Sequence, residues 1–366
     1  MKEKLDFIPN DLVSLKDYER YAKERMDLNS LAYVCSGAGD EITYKRNEKA
    51  FENIFLETAP LEDLKGANTK IELFGQSYEN PIFLAPVAYQ KLVDVNGEIA
   101  TAQAANVMNS CMCVSSFSSS TLENITSNTN SPLWFQLYIQ PNMQINLELI
   151  KKAQILGFKA LVITIDAPIS GLRNSEQRAG FCLPNGISAI NIKNIDPIQI
   201  TNNFENIFDI APILPTWKDI EFIKNNTNLP VILKGITSVP YAKKAIELGI
   251  DGIIVSNHGG RTMDTLPSSI ELLPKITKAV DGKIPILFDG GIRRGTDVLK
   301  AIALGASAVM IGRPIMYGLA TAGALGVAHT LKILKEELEV SMIFSGCKSI
   351  EEIKKLDIIN NNYQFR

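Results

Sequence analysis

The chain has 366 residues, 46% of them hydrophobic and 21% charged, with a formal net charge of −3. That composition supplies a large core and excludes a basic nucleic-acid face or electrostatic attraction to an anionic membrane. Five cysteines (Cys35, Cys111, Cys113, Cys182 and Cys347) form no CxxC or Cys/His metal spacing, so neither zinc nor a disulfide framework is expected and the chain reads as cytoplasmic.

Residues 1–79 read as a charged lead-in of short helices and loops, and the first twenty residues hold no apolar signal core. From about residue 80, short apolar β-branched runs alternate with amphipathic stretches. The runs are 81–85, 111–115, 133–137, 160–165, 231–234, 252–256, 284–288 and 306–311. They lack polar alternation, as parallel strands buried on both faces do. Cys111 and Cys113 fall two apart on the second run, so both face one side as small buried apolar residues. Between the later runs, Ala242, Ala245, Ile246 and Gly249 make one helical stripe, and Val298, Ala301, Ile302 and Gly305 make another. Pro240 suits a first helical turn; Gly249 and Gly305 suit helix ends.

Eight such units predict one α/β domain over 1–366, a (β/α)8 barrel across 80–320. A doubly wound open sheet is the alternative, but no GxGxxG follows an early strand. Residues 176–228 interrupt the repeat after the fourth strand. Rich in Asn and Ile with scattered prolines, they are expected to form a lid or a mobile insertion. Residues 321–366 read as C-terminal helices with a frayed tail from 360, and the apolar stretch 317–328 is too short to span a bilayer.

The polar residues collect where the runs end. Ser115 closes the second run, and Gln136 and Tyr138 the third. Thr164 and Asp166 close the fourth, with Arg173 seven residues beyond Asp166. Lys234 closes the fifth, Ser256 and His258 the sixth, Asp289 the seventh, and Gly312 and Arg313 the eighth. Structural charges would scatter over helix surfaces; a ring at the C-terminal pole of a barrel is where such folds keep their chemistry.

The sixth end is the most informative. Gly252-Ile253-Ile254-Val255 runs into Ser256-Asn257-His258-Gly259-Gly260-Arg261, which places one of the chain's two histidines three residues from a permanent cation. Taken alone, this is either a base beside a carboxylate clamp or a glycine turn with a satisfied histidine. The seventh and eighth ends add Asp289-Gly290-Gly291-Ile292-Arg293-Arg294-Gly295 and Gly312-Arg313-Pro314. Glycines admit an anion to the backbone and arginines add a bidentate charge, so a phosphorylated cofactor is expected there.

These motifs resemble the FMN-dependent α-hydroxy acid oxidase/dehydrogenase family, which includes lactate oxidase, glycolate oxidase and flavocytochrome b2. The resemblance runs from about Tyr33 to the C-terminal helices and rests on LAPVA (84–88), WFQLY (134–138), TIDAPISGLR (164–173), LKG (233–235), SNHGGR (256–261), DGGIRRGTD (289–297) and IGRP (311–314). It implies FMN as cofactor and His258 as the base, oriented by Asp166. It implies that Arg173, Arg261 and Tyr33 grip the substrate carboxylate, that Tyr138 approaches the substrate oxygen, and that Phe117 lies by the substrate side chain. Lys234 would stand at the flavin N1/O2 edge. Ala88, Ser115, Gln136, Thr164 and Ser256 would contact the flavin ring. Asp289, Gly291, Arg293, Gly312 and Arg313 would hold the ribityl phosphate.

The implied activity is oxidation of a small L-2-hydroxy acid to the 2-keto acid. L-Lactate is favoured, partly because Ser170 looks more like lactate oxidases than plant glycolate oxidases; glycolate is the alternative. The proton route stays open between hydroxyl-proton removal with hydride transfer and a carbanion path. Reoxidation by O2, giving hydrogen peroxide, is the default over another acceptor, since no haem domain precedes the barrel. The resemblance also implies a homotetramer. Rival readings are an FMN barrel isomerase, which should lack the arginine pair and the His258–Asp166 couple, and a non-catalytic flavin carrier, which would have no use for a buried polar ring.

Overall fold

A computed structural model of the chain describes residues 3–192 and 206–360. Eight parallel strands close into a barrel: β1 (Ile82–Leu84), β2 (Met112–Ser115), β3 (Leu133–Leu137), β4 (Leu161–Thr164), β5 (Val231–Ile236), β6 (Gly252–Val255), β7 (Ile286–Asp289) and β8 (Ala308–Ile311). Each pairs with its sequence neighbour, and β8 returns to β1. Every barrel-strand residue is buried, which explains the absence of polar alternation. Helices cover the outside with the expected stripes: Ala242 and Ala245, and Val298, Ala301 and Ile302, are buried. This is a (β/α)8 barrel; the open sheet is excluded.

The lower, N-terminal pole is sealed by something absent from the expected helical lead-in. Ile71–Leu73 and Gln76–Tyr78 form an antiparallel hairpin. Its turn residues Phe74 and Gly75 both have positive φ, 51° and 71°, the twist that suits a tight hairpin. The turn drives the Phe74 ring edge-on against Trp134, 5.6 Å between centroids, and beneath Gly252, where a Cβ would lie 2.7 Å from Phe74 Cζ. Trp134 donates its indole N–H to Tyr78 Oη at 3.0 Å, so the one polar atom of this buried ring is satisfied. A second unforeseen pairing joins Ile54–Leu56 to Ile358–Asn360, antiparallel, tying the lead-in to the C-terminal end.

The expected insertion 176–228 is shorter than the sequence implied. Trp217–Asn225 is a helix in the repeat's own place between β4 and β5, with Ile220 and Ile223 buried and the Thr216 N–H donating to Asp219 at 2.7 Å. Ahead of it lie a short helix, Asn174–Ala179, and a 3₁₀ segment, Ile207–Ile213. Residues 193–205, the middle of the expected lid, are outside the described residues, as is the expected frayed end 361–366.

After β8 a long helix, Arg313–Phe344, breaks at Ala322 and Gly323, where φ swings to −148° and then 58°. No helix among the described residues is long and apolar enough to cross a membrane. The N-terminal helix Leu15–Lys23 docks on this element, with Tyr18 Oη 2.9 Å from His329 Nδ1. All five cysteines are free. Cys111 and Cys113 are fully buried, and burial pushes both thiols upward, which keeps them protonated and inert.

Candidate active site

The upper pole gathers the polar ring. After β6, His258, Gly259 and Gly260 all take positive φ (57°, 63° and 73°), turning the chain back over the barrel mouth. A non-glycine residue in that region is strained and persists only where its surroundings hold it. Here Ser256 Oγ accepts the His258 N–H at 3.0 Å. Asn257 Oδ1 accepts the Gly260 N–H, while its amide exchanges hydrogen bonds with Asn47 at 2.8 and 2.9 Å.

The imidazole is gripped from both sides. His258 Nδ1 lies 2.9 Å from Asp166 Oδ1, and Nε2 lies 3.3 Å from Tyr138 Oη. With the Nδ1–H donating to the carboxylate, Nε2 carries the lone pair that faces the cavity. Burial pushes the Asp166 carboxyl up, but His258 and Lys234 beside it outweigh this and hold it below its usual value. It is therefore an anion able to stabilise an imidazolium. Gly235 makes room for it: φ is 102° there, and a Cβ would stand 2.4 Å from Asp166 Cγ. Burial also pushes the Tyr138 phenol up, with Asp166 adding to the effect, so its hydroxyl stays protonated as a donor.

Beside the imidazole lies a cationic recess. Arg261 donates from Nη1 to Tyr33 O at 2.6 Å and to Ser36 O at 3.1 Å, and its guanidinium covers the Tyr33 ring at 4.8 Å. Arg173 donates from Nη2 to Ser170 Oγ at 3.0 Å. Glu176 accepts from both arginines through Oε1. Burial and the neighbouring Arg173 lower the Arg261 pKa; burial lowers that of Arg173 too, but Glu176 outweighs it and raises it. Phe117 packs on Tyr138 with centroids 4.7 Å apart, and Tyr33 stacks on Phe181 at 4.9 Å.

Across the mouth the strand ends form a second wall. Ser115 Oγ donates to Gln136 Oε1 at 2.9 Å, and Gln136 Nε2 donates to Thr164 Oγ1 at 2.9 Å, a relay that fixes the amide's orientation. Lys234 Nζ reaches Ser256 Oγ at 3.0 Å and Asp289 Oδ2 at 2.9 Å. Burial drives the Lys234 ammonium down, but Asp289 and Asp166 more than offset it, so it is cationic.

Behind this wall, Asp289 to Arg293 and Gly312–Arg313 line a recess of about 140 Å³. It adjoins a larger cavity of about 740 Å³ that runs past Phe117, Arg173 and Phe181 toward Ile213. Tyr33, Ala88, Tyr138, His258 and Arg261 line both, so the predicted base stands where the two spaces meet.

The smaller recess fits a phosphorylated flavin. Asp289 Oδ1 and Arg293 Nε are buried with no hydrogen-bond partner among the described residues, although Asp289 bonds Lys234 and Arg293 bonds Glu48 through their other atoms. Buried polar atoms left open at a glycine-lined cavity are the mark of a ligand's place. Burial lowers the Arg293 pKa but Glu48 outweighs it, so its charge is secure. Arg313 differs from its expected simple part in the phosphate site. It lines the recess, yet its guanidinium donates to Val34 O (3.1 Å), Gly259 O (2.9 Å) and Ser36 O (2.6 Å), and stacks on Tyr44 at 4.3 Å. It thus ties the N-terminal arm to the His258 turn.

All the predicted site residues therefore meet at one pole. Sequence reasoning missed Glu176, Ser36 and the Asn47–Asn257 pair. Glu176 alone had a signal: it falls one helical turn after Arg173, where a carboxylate meets the preceding guanidinium. No group of three or more His, Cys, Asp or Glu among the described residues is placed to hold a metal ion.

The family model for FMN-dependent dehydrogenases matches residues 22–360. A 2-hydroxyacid oxidase of Dictyostelium discoideum is 42% identical over 359 residues, covering 96% of this chain and 92% of that protein. An L-lactate oxidase of a Nostoc species is 40% identical over 352 residues, covering 93% and 96%. Among solved structures, mandelate oxidase with (S)-2-phenylpropionate superposes with a TM-score of 0.88 at 38% identity, covering 95% of this chain and 98% of that one.

Proposed function

The chain belongs to the family of FMN-dependent dehydrogenases, so FMN is its cofactor, and from that premise we propose that it oxidises a small L-2-hydroxy acid, L-lactate foremost, to the 2-keto acid and delivers the electrons to O2 as hydrogen peroxide. The observation that carries this is the His258 imidazole, set between Asp166 and Tyr138 in the same mouth as the Arg173–Arg261 pair. The relatives named as oxidases support O2 as acceptor.

Bound FMN supplies the two-electron acceptor. Arg173, Arg261 and Tyr33 take the substrate carboxylate, which points the α-carbon at the imidazole. His258 Nε2 receives the proton from the substrate hydroxyl, and Asp166 stabilises the imidazolium that results. The Tyr138 hydroxyl donates to the substrate oxygen. Lys234 is the fixed positive charge on the cofactor wall. Gly291, Arg293, Gly312 and Arg313 would hold the phosphate end of the ribityl-phosphate site, where Asp289 would accept from the ribityl hydroxyls, with Ala88, Ser115, Gln136, Thr164 and Ser256 along the ring.

A second reading comes from cavity size. The cavity, about 740 Å³ from the mouth at His258 out to Ile213, is far more than lactate fills, and it favours a bulkier 2-hydroxy acid, aryl or long-chain. Comparing kcat/KM for L-lactate, glycolate, mandelate and a long-chain 2-hydroxy acid decides between them: lactate should lead, and a clear lead for a bulky acid replaces it. Peroxide formed in step with oxygen uptake supports the oxidase; a flavin that is reduced yet ignores oxygen overturns that half. The same reading takes the enzyme as a cytoplasmic homotetramer, which sedimentation of the holoenzyme tests.

A further inference from the structure

We propose that Glu176 is a resident carboxylate that competes with the acid substrate for its two arginines, and so sets how loosely substrate and product are held. This rests on the functional reading above, in which Arg173 and Arg261 receive a carboxylate.

The geometry is that of a carboxylate already seated between the pair. A single oxygen, Glu176 Oε1, accepts from Arg173 Nε, from Arg261 Nη2 at 3.1 Å and from Ser36 Oγ at 3.1 Å. Glu176 is buried and borders the larger cavity together with both arginines. Two guanidiniums held this close in a low-dielectric recess repel each other and require an anion. The neighbouring carboxylates are committed elsewhere, Asp166 to His258 and Asp289 to Lys234. Glu176 meets that need before any substrate arrives.

The consequence is electrostatic. Two arginines and one glutamate leave a net charge of one, so an incoming monoanion meets half the attraction the bare pair would exert. Arg173 immediately precedes the six-residue helix Asn174–Ala179 that carries Glu176, so the carboxylate and one of its two arginines sit on one short element. Substrate and keto-acid product both carry the carboxylate, so fully free arginines would hold each more firmly.

The test uses FMN-loaded enzyme and oxalate, a carboxylate the enzyme cannot oxidise, with binding read by calorimetry and by the flavin absorbance change. In Glu176→Gln the amide keeps the shape and an acceptor oxygen but loses the charge. Oxalate should bind about tenfold tighter, and the KM for L-lactate should fall with it while kcat moves by less than about threefold. Glu176→Asp, one methylene shorter, draws the carboxylate back from Arg261 and should tighten oxalate by about threefold; it carries the test if the glutamine variant does not fold. Oxalate bound equally or more weakly by a folded, flavin-loaded variant overturns the proposal and leaves Glu176 a structural tether. Wild-type enzyme that neither binds oxalate nor is reduced by any 2-hydroxy acid overturns the functional reading itself.

Discussion

The two poles of the barrel solve opposite problems with the same strands. Below, Phe74, Tyr78, Phe83 and Trp134 interlock edge to face, and the only polar contact made by Trp134 there is the indole bond to Tyr78. Above, Lys234, Asp289 and Arg293 are buried and Asp166 is nearly so, and each has a partner from a different segment. The dry end gains its stability from area and packing. The wet end spends stability to keep ions away from water, and tolerates positive φ at His258 and orphaned atoms at Asp289 and Arg293. The lesson is that closure and chemistry are separable: damage below should cost folding, and damage above should cost turnover.

His258→Ala tests the upper half most severely. Flavin reduction by L-lactate under anaerobic stopped flow should slow by about 10²–10⁴-fold, while FMN stays bound and the melting temperature barely moves. Rapid bleaching of the flavin in that variant would remove the base from its role. Trp134→Ala is the converse: a loss of about 3–5 kcal/mol in denaturant unfolding, with near-normal kcat per folded, flavin-loaded molecule. A large fall in kcat would mean the poles are coupled.

A matched pair of glycines sharpens the contrast. Gly235→Ala forces a Cβ into Asp166 at a φ of 102°, and should cost about 1–3 kcal/mol as well as at least about tenfold in flavin reduction. Gly252→Ala presses on the tip of Phe74 and on the Pro285 carbonyl oxygen at 3.3 Å, both away from the site, so its cost should appear in stability alone. Equal effects of the two on turnover would refute the separation.

The smallest effect is outside both poles. Burial, and then Lys332, hold the His329 pKa below its ordinary value of 6.5, so as pH falls His329 on the long helix takes up a proton more readily once the N-terminal helix is released than while that helix is docked. The docking contribution is therefore complete above pH 6.5 and is lost as pH falls through the lowered docked value. Hydrogen exchange across Leu15–Lys23 should quicken in that acid window, and the step should vanish in His329→Gln.

The strands and the predicted upper ring were readable because both are local. An apolar run of four to six residues announces a buried parallel strand, and the residue where it stops lies at the barrel's rim. The lower hairpin was not readable in that way. Its strands are three residues long, and its purpose, placing Phe74 under Gly252, depends on residues almost two hundred positions away. Trp217–Asn225 was hidden for a different reason: it sits between prolines and asparagines whose composition reads as loop, and the Thr216–Asp219 cap was the cue that deserved more weight. Arg313 was placed correctly at the rim, but its three carbonyl partners are set by how the N-terminal arm folds over, which no spacing within the barrel encodes.

That arm has a consequence for biogenesis. Tyr33, Val34 and Ser36 emerge from the ribosome first, yet the guanidiniums that capture them, Arg261 and Arg313, follow 228 and 279 residues later. A nascent chain can thus pair most of its strands while its entrance remains unassembled, and the enzyme becomes competent only near the end of translation. Premature termination before β8 would yield a partly paired cylinder that holds its own beginning through Arg261 alone of these two guanidiniums, and whose flavin recess lacks the wall of Gly312 and Arg313.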